Sequence, residues 1–148
     1  MKKQLLFLVM MLLPLVASAE VVEINGIYYE IFTKFKEAHV MCNPNYTGSY
    51  TGNIVIPETV NYKNVSCKVK TIYDNAFHNC SSLTSVTIPE SVTSIGEYAF
   101  SKCSSLSSVT IPNSITFIEN YAFQDCSDLI SIAIPNSVTF IGSYAFKY

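Results

Sequence analysis

The sequence predicts a mostly β solenoid, in which short coils of 23 residues stack on one another behind a small β-rich segment. An Ala-Phe pair recurs at residues 76–77, 99–100, 122–123 and 145–146, a constant step of 23 residues. Three full units follow one another without insertion, at 78–100, 101–123 and 124–146, and they are identical at twelve of their 23 positions. A fixed period of this length indicates a repeat protein whose units share one core.

The first 19 residues have the pattern of a secretory signal peptide. Lys2 and Lys3 precede an apolar run from Leu5 to Val16, and Ala17-Ser18-Ala19 supplies the small residues of a cleavage site. The run is shorter than the roughly 20 residues of a membrane-spanning helix, and no other apolar stretch in the chain is as long, so the mature chain is expected to have no transmembrane segment. We therefore expect an exported protein, located at the cell surface, outside the cell or in the periplasm.

Residues 20–64, the cap segment, read as strands and turns rather than as another repeat unit. Residues 27–32 and 38–41 are strand-like, and Asn43-Pro44-Asn45 and Thr47-Gly48 have turn chemistry. We expect this segment to cover the first coil of the solenoid.

Residues 65–148 form the predicted array, with one partial leading coil ahead of the three full units. Residues 85–88, 108–111 and 131–134 alternate polar and apolar side chains as half-buried strands do, and each run meets a proline that cannot donate to a strand ladder. Residues 92–95 are extended, and residues 97–100 suit one short helical or 3₁₀ turn. The apolar positions are expected to stack inward; in the first unit they are Leu83, Val86, Ile88, Val92, Ile95 and Phe100.

The repeated pattern Leu-x-x-Val-x-Ile-Pro-x-x-Val-x-x-Ile-x-x-x-Ala-Phe-x-x-Cys resembles the BspA-like class of leucine-rich repeats. These repeats occur in surface and secreted proteins of Bacteroides-type bacteria and some protists. The resemblance covers nearly the whole mature chain. It implies a right-handed leucine-rich-repeat solenoid used for protein binding or cell adhesion, with no catalytic residues and no cofactor to carry over.

Charge and residue spacing exclude several function classes. Seven lysines, no arginine and eleven carboxylates remain after residue 19, a net charge of about −4, which argues against nucleic-acid binding. His78 occupies a slot that holds Ser101 and Gln124 in the next units, so we expect an ordinary solvated histidine there. His39 has no partner that the sequence identifies. The sequence contains no Cys-x-x-Cys pair of the kind that binds zinc. We therefore expect that the chain is not an enzyme.

The cysteines divide into a ladder and a pair. Cys80, Cys103 and Cys126 recur at the repeat period, and stacked coils hold their Cβ atoms about 4.8 Å apart, outside the usual disulfide window. We expect these three to be a structural ladder of free buried thiols. Cys42 and Cys67 either form a disulfide or remain unpaired.

The outward positions of the coils are the candidate partner-binding residues. One face carries small hydroxyl side chains: Ser85, Thr87, Ser108, Thr110 and Ser131. A second outward column runs Thr71, Ser94, Phe117, Phe140, and its two phenylalanines either form a binding patch or pack against each other. Ile130, in the slot of Thr84 and Ser107, is a third candidate. Tyr98, Tyr121 and Tyr144 are expected at the edge of the core.

Two functions remain open at this point. The first is a secreted or cell-surface module that binds a protein or a glycan. Because four coils expose a strand face of roughly 300 Å², whereas a stable interface takes about 800 Å² per partner, weak or multivalent contact is expected. The second is a structural or truncated repeat piece that acts by stacking through its last coil, because the fourth unit stops at Phe146-Lys147-Tyr148 without a polar cap.

Overall fold

The computed structural model describes residues 19–45 and 47–148. The predicted signal peptide, apart from Ala19, lies outside the described residues. The described chain is mostly β, with eleven strands and no helix: β1 (Glu20–Ile24), β2 (Ile27–Phe32), β3 (Glu37–Met41), β4 (Gly52–Val55), β5 (Thr59–Tyr62), β6 (Val65–Ile72), β7 (Leu83–Thr87), β8 (Ser94–Ile95), β9 (Ser108–Thr110), β10 (Phe117–Ile118) and β11 (Phe140–Ile141).

The cap segment forms most of a curled sheet with the strand order β1-β2-β3-β6-β5. β1, β2 and β3 are antiparallel neighbours, whereas β3 and β6 run parallel. Buried and half-buried residues alternate along β2, as expected of a strand with one face on the core. The predicted strands at 27–32 and 38–41 are confirmed.

The two edges of this sheet meet, because the sheet curls on itself. Glu20 at the start of β1 forms an ion pair with Lys63, which follows β5, at 2.7 Å. The Tyr62 hydroxyl donates to the same carboxylate at 2.8 Å. Both polar contacts join segments about 40 residues apart, so they link the first strand of the sheet to the end of β5.

Parallel pairing between coils builds the rest of the molecule. β4, β7 and β9 form one ladder, in which Ser85 pairs with Ser108 and Thr87 with Thr110. On another side, Thr71 of β6 pairs with Ser94 of β8, and Phe117 of β10 pairs with Phe140 of β11. In the pairs β7–β9, β6–β8 and β10–β11, partners are 23 positions apart in the sequence, whereas partners in β4 and β7 are 31 or 32 positions apart.

The predicted strand at 131–134 does not form. Residues 130–135 have no regular secondary structure, and the ladder of described strands ends at β9. Ile134 is exposed here, although its equivalents Ile88 and Ile111 are buried. The physical reason is that one flank of this segment has no described coil against it, so its apolar side chains gain less by aligning with the ladder.

The predicted helical or 3₁₀ turn at 97–100 is not confirmed: residues 97–100 form a turn that belongs to no helix. Tyr98 and its equivalents Tyr121 and Tyr144 have φ between 56° and 58°, the left-handed region, which interrupts a right-handed helical turn. Every second N–H group of these turns donates to a carbonyl of the next coil: Phe77 to Ala99 at 2.8 Å, and Phe100 to Ala122 at 2.8 Å. The N–H groups between them bond within the turn, as the Ala99 N–H does to the Gly96 carbonyl at 3.3 Å.

The core is a set of stacked columns, one residue from each coil. Phe77, Phe100, Phe123 and Phe146 stack with ring centroids 5.0–5.4 Å apart and rings within 5° of parallel. The leucine column of Leu83, Leu106 and Leu129 is fully enclosed. The last coil is covered less well, and Ile141 is exposed where Ile118 is buried.

Ile118 and Ile141 allow a matched stability test, because they occupy the same repeat position in successive coils. Ile118 is 0% exposed and Ile141 is 46% exposed. Ile118→Ala is expected to lower the free energy of unfolding by about 2–5 kcal/mol through lost burial and a cavity, whereas Ile141→Ala is expected to cost about 1 kcal/mol or less. Urea denaturation of both variants measures the difference, and equal costs would contradict the exposed position of the last coil.

Candidate binding surface

The outward column on β6, β8, β10 and β11 changes chemistry along its length. Its first two rungs hold Thr71 and Ser94, and the next two hold Phe117 and Phe140. Each phenylalanine is 53% exposed, and their ring centroids lie 6.2 Å apart with the planes tilted by 51°. The structure therefore has features of both alternatives: the rings contact each other, and half of each ring still faces solvent.

Threonines beside this column bind the backbone of the preceding coil. The Thr139 hydroxyl donates to the Thr116 carbonyl at 3.2 Å, and the Thr93 hydroxyl donates to the Lys70 carbonyl at 3.4 Å. Their hydrogen-bonding capacity is thus partly used within the protein. The phenyl rings are left as the apolar feature of this surface, which we call the phenylalanine pair.

The predicted hydroxyl face lies on the other ladder. Thr87, Ser108 and Thr110 are exposed on β7 and β9, while Ser85 is half-buried and donates to Asn53 Oδ1 at 3.0 Å. Ser131 is exposed but lies outside any strand. The structure therefore presents the regular part of this face over only two repeat units.

Ile130 is the most exposed of the large apolar residues in the described chain, at 93%. It precedes the irregular segment 131–134, on the side of the β4–β7–β9 ladder, whereas the phenylalanine pair belongs to the β10–β11 sheet. The three apolar candidates thus do not share one strand ladder.

The repeated cysteines are buried free thiols, and Cys42 and Cys67 are also unpaired. Cys103 Sγ donates to the Phe77 carbonyl at 3.0 Å, and Cys126 Sγ donates to the Phe100 carbonyl at 3.1 Å. Burial raises the pKa of Cys126 to about 12 and also raises the pKa of Cys103. These thiols are held in the unreactive protonated form.

The histidines are more enclosed than the sequence suggested. The position expected to be a solvated slot is fully buried in the middle unit, where Ser101 lies between the coils that carry His78 and Gln124. Burial lowers the pKa of His78, with a smaller effect from Lys102. Burial also lowers the pKa of His39, which stacks on Tyr73 at 5.0 Å. Both Nδ1 atoms are enclosed without a partner in the described residues.

No cluster of metal ligands is found among residues 19–45 and 47–148. No three His, Cys, Asp or Glu side chains converge there in a way that would hold a metal ion. No helix of the described chain is long and apolar enough to cross a membrane.

A polar ladder on the turns was missed by sequence reasoning. It takes one residue from each coil: Asp74, Glu97, Asn120 and Ser143. Asp74 Oδ1 accepts from the Glu97 N–H, Glu97 Oε1 accepts from Asn120 Nδ2, and Asn120 Oδ1 accepts from the Ser143 N–H, each at 2.8 Å. Gly96 and Gly142 lie beside this ladder, where a Cβ would clash with Asp74 and Asn120 respectively. The spacing of these two glycines is the sequence signal that could have revealed the ladder.

Stacked coils of short parallel strands, with leucine, isoleucine and phenylalanine columns inside, define the protein class as a leucine-rich-repeat protein. Residues 49–148 match the family described as BspA type Leucine rich repeat region, in six copies. The chain belongs to this family. The match begins ahead of residue 65, where the sequence analysis starts the array, and it includes β4, which pairs with the repeat strand β7.

Solved structures of leucine-rich-repeat proteins are similar to this chain. One from Bacteroides ovatus is 32% identical with a TM-score of 0.74, covering 85% of this chain and 32% of that chain. One from Bacteroides capillosus is 26% identical with a TM-score of 0.60, covering 83% of this chain and 97% of that chain. The T. pallidum protein TpLRR, 24% identical with a TM-score of 0.68 and coverage of 86% and 67%, shares the fold.

This chain spans about a third of the length of the Bacteroides ovatus protein. No curated protein matches the chain.

Thiol reactivity tests the cysteine geometry. Four of the five thiols are buried and Cys42 is half-buried, so we expect Cys42 alone to react quickly with a thiol reagent under native conditions. All five are expected to react after unfolding in denaturant without reductant. Mass spectrometry of the labelled peptides identifies the sites, and a Cys42–Cys67 disulfide would appear as only three reactive thiols in the unfolded chain.

Proposed function

We propose that this protein is an exported, non-enzymatic binding module of the leucine-rich-repeat type. In this proposal the chain is a right-handed solenoid of 23-residue coils, and it contacts a protein partner outside the cell through the phenylalanine pair. The observation that carries the proposal is the half-exposure of Phe117 and Phe140 on neighbouring rungs of a column that otherwise holds Thr71 and Ser94.

The geometry of the pair favours an apolar side chain over a sugar as the bound group. A sugar ring stacks best on one flat aromatic face, whereas these two rings are tilted by 51° with centroids 6.2 Å apart. Two tilted rings form a shallow wedge that suits an aliphatic or aromatic side chain. A glycan partner is therefore the less favoured outcome of the experiment below.

Surface location is supported by the family. The chain belongs to the BspA type leucine-rich-repeat family, and the resemblance is to a class of surface and secreted proteins. The small area of the phenylalanine pair favours weak contacts that gain strength when several copies are displayed together.

The test is binding of the protein, displayed in multiple copies on a tetrameric carrier, to panels of extracellular-matrix proteins, cell-surface proteins and glycans. The double variant Phe117→Ser/Phe140→Ser is expected to reduce binding at least about tenfold, the loss of two apolar contacts of roughly 1 kcal/mol each. Serine occurs in this column at Ser94, so the variant is expected to fold.

Val55→Ser is the matched control, because Val55 is exposed on the separate β4 ladder. It is expected to bind like the unmodified protein. Equal loss in both variants, or no binding to any member of the panels by the unmodified protein, would count against the proposal.

A second candidate function is assembly through the last coil. It is favoured by the exposure of Ile134 and Ile141, whose equivalents one coil earlier are buried. Light scattering over a range of concentrations is expected to show self-association that Ile141→Lys abolishes and that the double phenylalanine variant leaves intact. A monomer at all concentrations would rule this function out.

A further inference from the structure

The connection between β2 and β3 carries an exposed aromatic ring between two lysines. Residues 33–36 make this connection, and the Phe35 N–H donates to the Phe32 carbonyl at 3.0 Å. Phe35 is 58% exposed, more than either member of the phenylalanine pair. Lys34 and Lys36, on either side of it in the chain, are also exposed. An apolar side chain and two cations therefore stand together at the end of this hairpin.

The neighbouring strand β6 adds two further lysines. The Lys68 N–H donates to the Lys36 carbonyl at 2.7 Å, so Lys68, which is exposed, lies directly beside the hairpin connection. Lys70 follows two residues later and is half-buried. Four of the seven lysines that follow residue 19 thus lie in one region of the cap segment. We call this region the lysine tip: Lys34, Phe35, Lys36, Lys68 and Lys70.

The charges of the lysine tip are not neutralised within the described chain. The one ion pair among residues 19–45 and 47–148 joins Lys63 to Glu20, so none of the four lysines has an ion-pair partner there. Two carboxylates, those of Glu37 and Glu58, lie beside Lys68 on the neighbouring strand and connection. Four lysines against two carboxylates leave a net charge of about +2, in a mature chain whose total is about −4.

The residues of this hairpin connection are not explained by the turn itself. Lys36 has a φ of 55°, in the left-handed region that glycine or asparagine adopts more readily. The Phe35 ring contacts Phe32, with centroids 6.5 Å apart, and the Lys34 ammonium lies 5.9 Å from the Phe35 centroid. More than half of Phe35 nevertheless stays exposed. Turns ordinarily hold small polar residues, whereas an exposed ring among cations is typical of a surface that contacts another molecule.

We propose that the lysine tip docks on an anionic lipid surface. In this arrangement the Phe35 ring enters the boundary between the headgroups and the acyl chains, and the lysines bind headgroup phosphates. A lipid interface places an apolar layer next to an anionic layer, and an exposed ring flanked by ammonium groups is complementary to both. Aromatic rings and lysine side chains are both favoured at this boundary.

An acidic protein segment is the less favoured partner, because it offers the charge without the apolar layer. The lysine tip is also separate from the phenylalanine pair, since the tip belongs to the sheet of the cap segment and the pair belongs to the β10–β11 sheet. Docking on lipid therefore adds to the proposed function and does not depend on it.

The test is cosedimentation of residues 20–148 with lipid vesicles. These residues contain all eleven strands, and they leave out the apolar run of the predicted signal peptide, which would itself bind lipid. Mixed vesicles of phosphatidylcholine and phosphatidylglycerol are expected to bind the protein with a partition coefficient on the order of 10³ M⁻¹ at low salt. Added salt is expected to weaken this binding by screening. Vesicles of phosphatidylcholine alone are expected to bind at least about tenfold more weakly.

The double variant Lys36→Asn/Lys68→Gln removes two charges from the lysine tip, and asparagine suits the left-handed φ at position 36. Because each lysine near an anionic surface contributes about fivefold to binding, this variant is expected to bind the mixed vesicles roughly 10- to 30-fold more weakly. Lys102→Asn/Lys147→Gln is the matched control. It removes the same charge elsewhere, and Lys102 also has a left-handed φ, of 62°. The control is expected to bind like the unmodified protein.

Fluorescence tests the position of the ring. The chain contains no tryptophan, so a single introduced tryptophan reports on its own surroundings. The emission of Phe35→Trp is expected to shift to shorter wavelength with the mixed vesicles, because the ring leaves water, whereas Phe140→Trp in the phenylalanine pair is expected to show no shift. Phe35→Ser is expected to weaken binding about tenfold through the lost burial of the ring.

Poly-glutamate separates a lipid surface from an acidic partner. Binding to poly-glutamate that is at least as tight as to the mixed vesicles, and that Phe35→Ser leaves unchanged, would overturn the proposal in favour of an acidic chain. The proposal is also overturned if the unmodified protein does not bind the mixed vesicles, if the two double lysine variants lose binding equally, or if Phe140→Trp shifts as Phe35→Trp does. None of these outcomes affects the test of the phenylalanine pair, which uses other variants and other partners.

Discussion

Hydrogen bonding between successive coils, in a register that pairs residues 23 positions apart, is the constraint on which the coils of this molecule depend. In each turn, backbone N–H groups donate to carbonyls of the next coil, as Phe77 does to Ala99 and Phe100 to Ala122. Once that register is set, every side chain lies beside its equivalent in the neighbouring coil. The stacked phenylalanine rings, the buried thiols and the polar ladder from Asp74 to Ser143 all follow from it. The same register imposes the left-handed φ of Tyr98, Tyr121 and Tyr144, which an isolated chain would avoid.

In a repeat protein, the features specific to one molecule lie at the positions where its repeat units differ. A side chain that points inward must fit the equivalent side chains of the neighbouring coils. The identity of Leu83, Leu106 and Leu129, which are buried, is therefore explained by core packing. An outward position is free of that requirement. The change from Ser94 to Phe117 and Phe140 therefore has no explanation in the packing of the core. Packing of the two rings against each other and contact with another molecule are the two interpretations, and our proposal takes the second. The same argument applies to Ile130, although its isolation from other exposed apolar residues on its ladder makes it a weaker candidate.

The sequence was sufficient to predict the features that depend on a residue's position in the 23-residue repeat. It predicted the inward columns, the buried cysteines and the exposure of Phe117 and Phe140, because each depends only on repeat position. It failed at 131–134, where alternation is retained but one flank lacks a neighbouring strand. It also failed at the turns, because bonds between coils permit left-handed tyrosines that local preference would exclude. The polar ladder was missed since Asp, Glu, Asn and Ser share a role there without sharing an identity. The contact between Glu20 and Lys63 was also not predicted, because it joins distant segments that no repeat encodes.

The cap segment and the coils share one core, and Tyr50 shows why neither is complete alone. Its ring lies 4.7 Å from Phe77 and so takes the first place in the aromatic column. Its hydroxyl donates to the Met41 carbonyl at 2.7 Å and accepts from the Tyr28 N–H at 2.9 Å, which ties that column to β2 and β3. Without the cap, the outer face of Phe77 would be open to water, just as the last coil leaves Ile141 exposed. The curled sheet thus covers the first coil as each coil covers the next. The parallel pairing of β3 with β6 makes that contact continuous with the repeat.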